Sequence, residues 1–163
     1  MKTSEGGRRL IEGFEGLFLA AYDDATDRVV KLHQKIIGTL TIGYGHTSAA
    51  GPPRVYVGMQ IDKEEADAIL AADLASVEVE VQHLVRAPIN QNQFDALVSF
   101  QFNTGWLAHP HCSLLDALNK GEYPVADDDF MLYDRANGVV LVGLDNRRKA
   151  EARLFKTPVT VTA

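Results

Sequence analysis

Residues 28–57 interrupt an otherwise helical chain with a short island of strand composition, and that break limits what the chain can become. Before it, Leu10, Ile11, Phe14, Leu17 and Phe18 recur at three- and four-residue spacing, which gives one apolar helix face. After it, Ala66, Ile69, Leu70, Leu74, Val77, Val81 and Leu84 form a longer helical stripe. Inside it, residues 28–32 and 39–44 have strand composition, residues 54–57 offer a third short strand, and Gly51-Pro52-Pro53 marks a loop. Helix, small antiparallel sheet, long helix, then several helices predicts an α+β, mainly helical protein. A small β-containing N-terminal lobe would be joined by a long helix to a larger helical lobe.

Local signals set the expected boundaries. Thr3 or Ser4 caps the first helix, and the acidic stretch from Asp23 to Asp27 ends it. Asp62 with Glu65, and Asn90 with Gln93, have the spacing of capping boxes. Pro88 closes the long helix and Asn103-Thr104-Gly105 closes the next. Ser113 caps a short helix to Asn119, another covers about 124–134, Asn137-Gly138 is a turn, and a last helix covers about 145–155. The expectation is one domain over 1–163, with lobes of roughly 12–60 and of 1–11 with 61–156, and a tail at 157–163. A cleft between lobes is the default binding site.

Composition excludes several classes. The net charge of −6 argues against a nucleic-acid partner, whose binding leans on phosphate neutralisation. No run approaches about 18 continuous apolar residues, so no membrane span is expected. Residues 1–9 lack the apolar core of a secretion signal, so synthesis in the cytoplasm is expected. Cys112 is the only cysteine, which rules out an internal disulfide. His109-Pro110-His111-Cys112 has no supporting ligand cluster at a metal-site spacing, so neither metal nor cofactor is called for.

The chemistry centres on paired carboxyls. Glu15 stands near the end of an apolar helix, and Asp24 follows after eight intervening residues. Hydrolysis of a glycosidic bond with inversion needs one protonated carboxyl and one ionised carboxylate in different environments. Phe14, Leu17 and Phe18 would desolvate Glu15 and keep it protonated, while a polar turn suits an ionised Asp24. Periodicity leaves Glu12 as a rival to Glu15, and Asp23 and Asp27 as rivals to Asp24. In the run from Thr41 to His46, alternation sets Thr41, Gly43 and Gly45 on one face, open to a sugar chain, with a hydroxyl able to hold water.

These runs closely resemble the phage-type lysozymes, glycoside hydrolase family 24. The resemblance is carried by Phe14-Glu15-Gly16, Ala21-Tyr22-Asp23-Asp24 and Thr41-Ile42-Gly43-Tyr44-Gly45-His46-Thr47. It continues through Phe94-Asp95-Ala96-Leu97 to Asn103-Thr104-Gly105, and through Asn146-Arg147-Arg148-Lys149-Ala150-Glu151, covering about residues 8–156. It implies an inverting muramidase that cuts the β-1,4 bond between N-acetylmuramic acid and N-acetylglucosamine in bacterial peptidoglycan, acting as a monomer at the cell wall after holin-dependent release or virion delivery.

By that resemblance Glu15 is the general acid, Asp24 the second carboxylate and Thr41 the residue that positions water. Arg147 would pair with the catalytic glutamate, and His46 with Asp73. Thr47, Phe102, Asn103 and Ser113 would line the substrate site. The alternatives are a non-catalytic wall-binding or tail protein and a lytic transglycosylase. One departure stands out: sixteen residues, Ala25 to Leu40, separate Asp24 from Thr41, where the family has a much shorter connection. This extension is expected to lengthen a hairpin near 30–38, with Lys31, His33 and Lys35 alternating along it, and it leaves Asp27 as a competitor for the role of Asp24.

Overall fold

The computed structural model describes residues 1–136 and 138–159. It is α+β and mainly helical, and it divides into two compact units, Met1–Phe14 with Ser76–Ala163, and Glu15–Ala75. Among the described residues, no helix is long and apolar enough to cross a membrane.

The first helix, α1 (Glu5–Glu15), begins where Ser4 Oγ accepts the N–H of Gly7, a side-chain N-cap. It stops earlier than its apolar periodicity suggested. Gly16 has φ 71, the left-handed conformation that ends helices without a Cβ penalty. Leu17 and Phe18 therefore leave the helical stripe, and residues 18–23 become a strand, β1 (Phe18–Asp23). The aromatic and small residues there fit a pleated surface as well as a helix face, which is why periodicity misassigned them.

The unit Glu15–Ala75 holds a four-stranded antiparallel sheet in the order β2-β1-β3-β4. Its other strands are β2 (Arg28–Val29), β3 (Leu40–Gly43) and β4 (His46–Thr47). The expected strand at 54–57 does not form. The third partner is β4, set by a tight reversal after Gly43, and Val55 is tied instead to the Ser48 hydroxyl by its N–H, 2.9 Å. Ala21, Ile42, Val55 and Met59 form the core, with Leu40 and Ile61 packed against it.

Strand pairing also ends early along the extension. The expected β2 over 28–32 closes after Val29, and residues 30–39 run without strand structure. His33 has φ 70, and residues 31–34 form a turn closed by Gln34 N–H to Lys31 O, 3.0 Å. Lys31, His33 and Lys35 therefore do not alternate on a strand face.

The long helix α2 (Lys63–Leu84) starts at the expected capping box: Glu65 N–H donates to Asp62 Oδ1, 2.8 Å, and Asp62 N–H to Glu65 Oε2, 2.9 Å. Its first half belongs to the sheet-bearing unit and its second half to the helical one.

In the helical unit, α3 (Gln91–Thr104) has the Asn90–Gln93 capping box and buries every residue from Phe94 to Gln101. It packs on α6 (Val142–Lys156), with α4 (Ser113–Asn119) and α5 (Tyr123–Asp129) alongside. Cys112, not Ser113, is the N-cap of α4, so Ser113 is its first helical residue. The helix expected over 124–134 is α5 followed by a 3-10 turn at Phe130–Tyr133. Phe100, Phe130 and Phe155 stack edge to face at 5.5–5.6 Å. A last hairpin pairs β5 (Arg135–Ala136) with β6 (Val139–Val140). Its expected turn includes Asn137, and the tail includes 160–163; both lie outside the described residues.

Candidate active site

The sheet-bearing unit brings three predicted residues onto one patch. In the ladder, Tyr22 lies opposite Thr41, and Thr41 lies opposite Thr47. Asp24 extends the β1–β3 pairing by one residue, because its N–H donates to Thr39 O, 3.1 Å. Side chains alternate along a strand, so Tyr22, Asp24, Thr41 and Thr47 share one face, and Asp23 points to the other.

Each side chain has a defined setting. Thr41 is buried, not open as alternation alone implied, and its hydroxyl donates to Thr39 O, 3.1 Å. That bond uses the hydroxyl proton and leaves the oxygen lone pairs as acceptors. Asp24 is exposed, and its Oδ1 accepts the N–H of Thr39, 2.6 Å.

Glu15 is the last residue of α1 and is half-buried. Its Oε2 stands 3.6 Å from where a Cβ on Gly45 would be, in the turn between β3 and β4. The expected apolar surround is only partly present. Leu17 is 38% exposed because the helix ends before it, and Phe18 stacks on Tyr22 with ring centroids 4.0 Å apart.

The Tyr22 phenol was not foreseen, although it lies within the quoted run. Burial raises it above its ordinary pKa, and the carboxylates of Asp27, Asp24 and Glu15 push it further in the same direction. Tyr22 therefore senses all three acids at once.

Asp23, a rival to Asp24 in the sequence, has a different task. Its Oδ2 accepts the N–H of Ile37, 2.6 Å, and its Oδ1 those of Gly38, 2.9 Å, and Ala25, 3.1 Å. Those bonds, Ile37 foremost and then Gly38 and Ala25, hold its carboxyl below the usual Asp range despite its burial. The extension thus leaves the sheet after Val29 and is fastened back onto Asp23 and Asp24 by residues 37–39. No sequence signal marks Asp23 for this, since an acid in an acidic turn is ordinary.

His46 and Asp73 meet as the resemblance implied: Nδ1 lies 2.9 Å from Asp73 Oδ2, and Nε2 lies 2.8 Å from Pro53 O. Burial raises the Asp73 pKa, and the bond to His46 opposes that rise.

The remaining candidates lie in the helical unit. Arg147 is buried on α6, with Nε donating to Glu151 Oε1, 3.2 Å, and its guanidinium 5.6 Å from the centroid of the Phe14 ring. Asn103 is exposed at the end of α3, its Oδ1 accepting from Arg148, 3.0 Å. Phe102 beside it is half-buried, as is Ser113 at the start of α4. Among the described residues no group of three or more His, Cys, Asp or Glu is arranged to hold a metal.

A family model described as phage lysozyme matches residues 12–151. The chain is 38% identical over 161 residues to an endolysin of Acyrthosiphon pisum secondary endosymbiont phage 1, covering 96% of this chain and 99% of the relative. Among solved structures it is similar to a single-substitution mutant of P22 lysozyme, with TM-score 0.80 and 36% identity over 96% of this chain and 99% of that one. The muramidase domain of SpmX from Asticaccaulis excentricus gives TM-score 0.79 and 37% identity, at the same coverage of both chains.

Proposed function

The chain belongs to the phage lysozyme family and is a peptidoglycan-lytic glycoside hydrolase; we propose that it is an inverting muramidase in which Glu15, Asp24 and Thr41 carry the reaction. The scissile bond is the β-1,4 link from N-acetylmuramic acid to N-acetylglucosamine. Glu15 gives its proton to the leaving oxygen as the anomeric carbon–oxygen bond breaks. Water attacks that carbon from the opposite face, and Asp24 takes a proton from it.

The observation that carries this reading is the placement of Asp24 and Thr41 on one sheet face, with complementary hydrogen-bond vacancies. Thr39 N–H holds Asp24 Oδ1, and Oδ2 has no partner among the described residues. Thr41 has spent its proton on Thr39 O. A water between them would donate one proton to Asp24 and the other to Thr41, keeping a lone pair for attack.

Asp24 is preferred to its neighbours on the same grounds. Both Asp23 oxygens are committed to backbone N–H groups. Asp27 sits at a left-handed corner, φ 53, and no hydrogen bond among the described residues orients its carboxylate. Glu15 is preferred to Glu12 because its carboxyl lies beside the Gly45 turn.

Thr47, Phe102, Asn103 and Ser113 are proposed to contact the glycan, and Arg147 to support Glu15. The test is a turbidity assay on purified cell walls. Glu15→Gln should abolish lysis with the thermal unfolding transition retained; lysis near the parent rate would overturn the assignment.

A further inference from the structure

The extension between Val29 and Thr39 encloses a pocket of about 340 Å³ on the sheet-bearing unit, within the size range of small-ligand sites. Arg28, Lys35 and Asp23 supply its charge, and Val29, Val30 and Ile37 its apolar wall. Asp23 and its ladder partner Arg28 lie on the sheet face opposite Asp24 and Thr41, while Val29 lies across from Tyr22, so the charged side of this pocket, though not its Val29 wall, faces away from the proposed catalytic patch.

Its charges are unbalanced. Asp23 is the only acid in the lining, and both its oxygens are occupied by the N–H groups of Ile37, Gly38 and Ala25. Arg28 and Lys35 have no ion-pair partner among the described residues. Some exposed cations elsewhere do, Arg9, Lys63, Lys149 and Lys156 each lying 2.6–2.9 Å from a carboxylate. Two cations against the one Asp23 carboxylate leave the lining with one positive charge in excess, which on a chain of net charge −6 favours an anion. The apolar wall selects for an anion that carries alkyl groups, which disfavours a bare phosphate.

We propose that this pocket binds the free carboxylate of a peptidoglycan peptide stem, with the adjoining alkyl side chain against Val29, Val30 and Ile37. The inference rests on the lysozyme reading and adds a second foothold on the same polymer. Arg28 and Lys35 pair with the carboxylate, which lies on the face away from the glycan being cut. A stem from a neighbouring strand of the wall mesh satisfies that geometry. Because residues 37–39 fasten both to Asp23 and to Asp24, occupancy also steadies the turn that carries Asp24.

The test compares the parent with an Arg28→Ala/Lys35→Ala double variant on two substrates, intact cell walls and glycan strands stripped of their stems by an amidase. Both residues are exposed, so the variant should keep its fold. The expected result is a KM about 5-fold higher on intact walls (about 1 kcal/mol), with stripped glycan cut equally by both proteins. Equal loss on both substrates, or loss on neither, would overturn the proposal. Failure of the parent to cut stripped glycan would count against the muramidase reading alone, so a second arm is independent of catalysis. NMR titration of the Glu15→Gln protein with a free stem tripeptide should shift the Val29, Val30 and Ile37 methyls. A stem whose carboxylates are all amidated should not shift them. Equal shifts from the amidated stem, or from inorganic phosphate alone, would reject a stem carboxylate as the ligand.

Discussion

A methyl carbon on Gly38 would stand 2.1 Å from Asp24 Oδ1. It would also lie 2.8 Å from Ala25 Cβ and 2.9 Å from Ala25 N, so glycine alone lets the end of the extension close onto the Asp24 turn. The conflict is with backbone as well as side chain, and a rotamer change does not relieve it. Gly38→Ala should therefore displace the Asp24 carboxylate while leaving the core intact. The expected outcome is a fall of about tenfold or more in wall lysis, about 1.4 kcal/mol in activation free energy, with an unchanged far-UV CD spectrum. Lysis at the parent rate would mean that Asp24 is not the working carboxylate, or that the turn is more pliant than this contact allows.

Asp23 should make the fastening of the extension sensitive to acid. Its folded pKa lies below the ordinary value because three N–H groups favour the carboxylate, Ile37 contributing most. A depressed folded pKa contributes stability that is fully present above the unfolded value, about 3.9, and is lost as pH falls through the folded value. Asp23→Asn removes that charge and turns one acceptor into a donor. Urea unfolding should show the variant less stable than the parent at neutral pH, with the gap narrowing below about pH 4. A gap that stays constant into acid would contradict this.

The His46–Asp73 pair should be worth more for stability than for chemistry. Both groups are buried, and both imidazole nitrogens face oxygen acceptors. Removing one partner leaves a buried polar group without compensation, so Asp73→Leu should cost about 1–3 kcal/mol in urea unfolding. The His46→Leu/Asp73→Leu double variant should recover part of that loss. Additive costs would show that the two residues are not coupled.

The large features of this fold were legible because they rest on local signals that packing reinforces. The Asp62–Glu65 and Asn90–Gln93 capping boxes form where their spacing put them. The break into strand composition after the first helix gave the small sheet. What failed was assignment where local preference is nearly balanced. Residues 17–18 fit a helix stripe, and only the left-handed Gly16 diverts them into β1. Residues 30–38 alternate like a strand, but their pairing is replaced by bonds from Ile37 and Gly38 to Asp23, a contact across fourteen and fifteen positions that no local pattern encodes. The resemblance named Glu15, Asp24 and Thr41, while Tyr22 and Asp23 took their parts from the ladder register and the extension closure.

The anomeric form of the first product tests the central claim most directly. Proton NMR during digestion of peptidoglycan by fresh enzyme, before mutarotation, reports the configuration at the new muramic acid reducing end. Water activated by Asp24 opposite the Glu15 proton donor predicts the α-anomer. The β-anomer would contradict this and make Asp24 a nucleophile, and a 1,6-anhydro end would show that no water attacks at all.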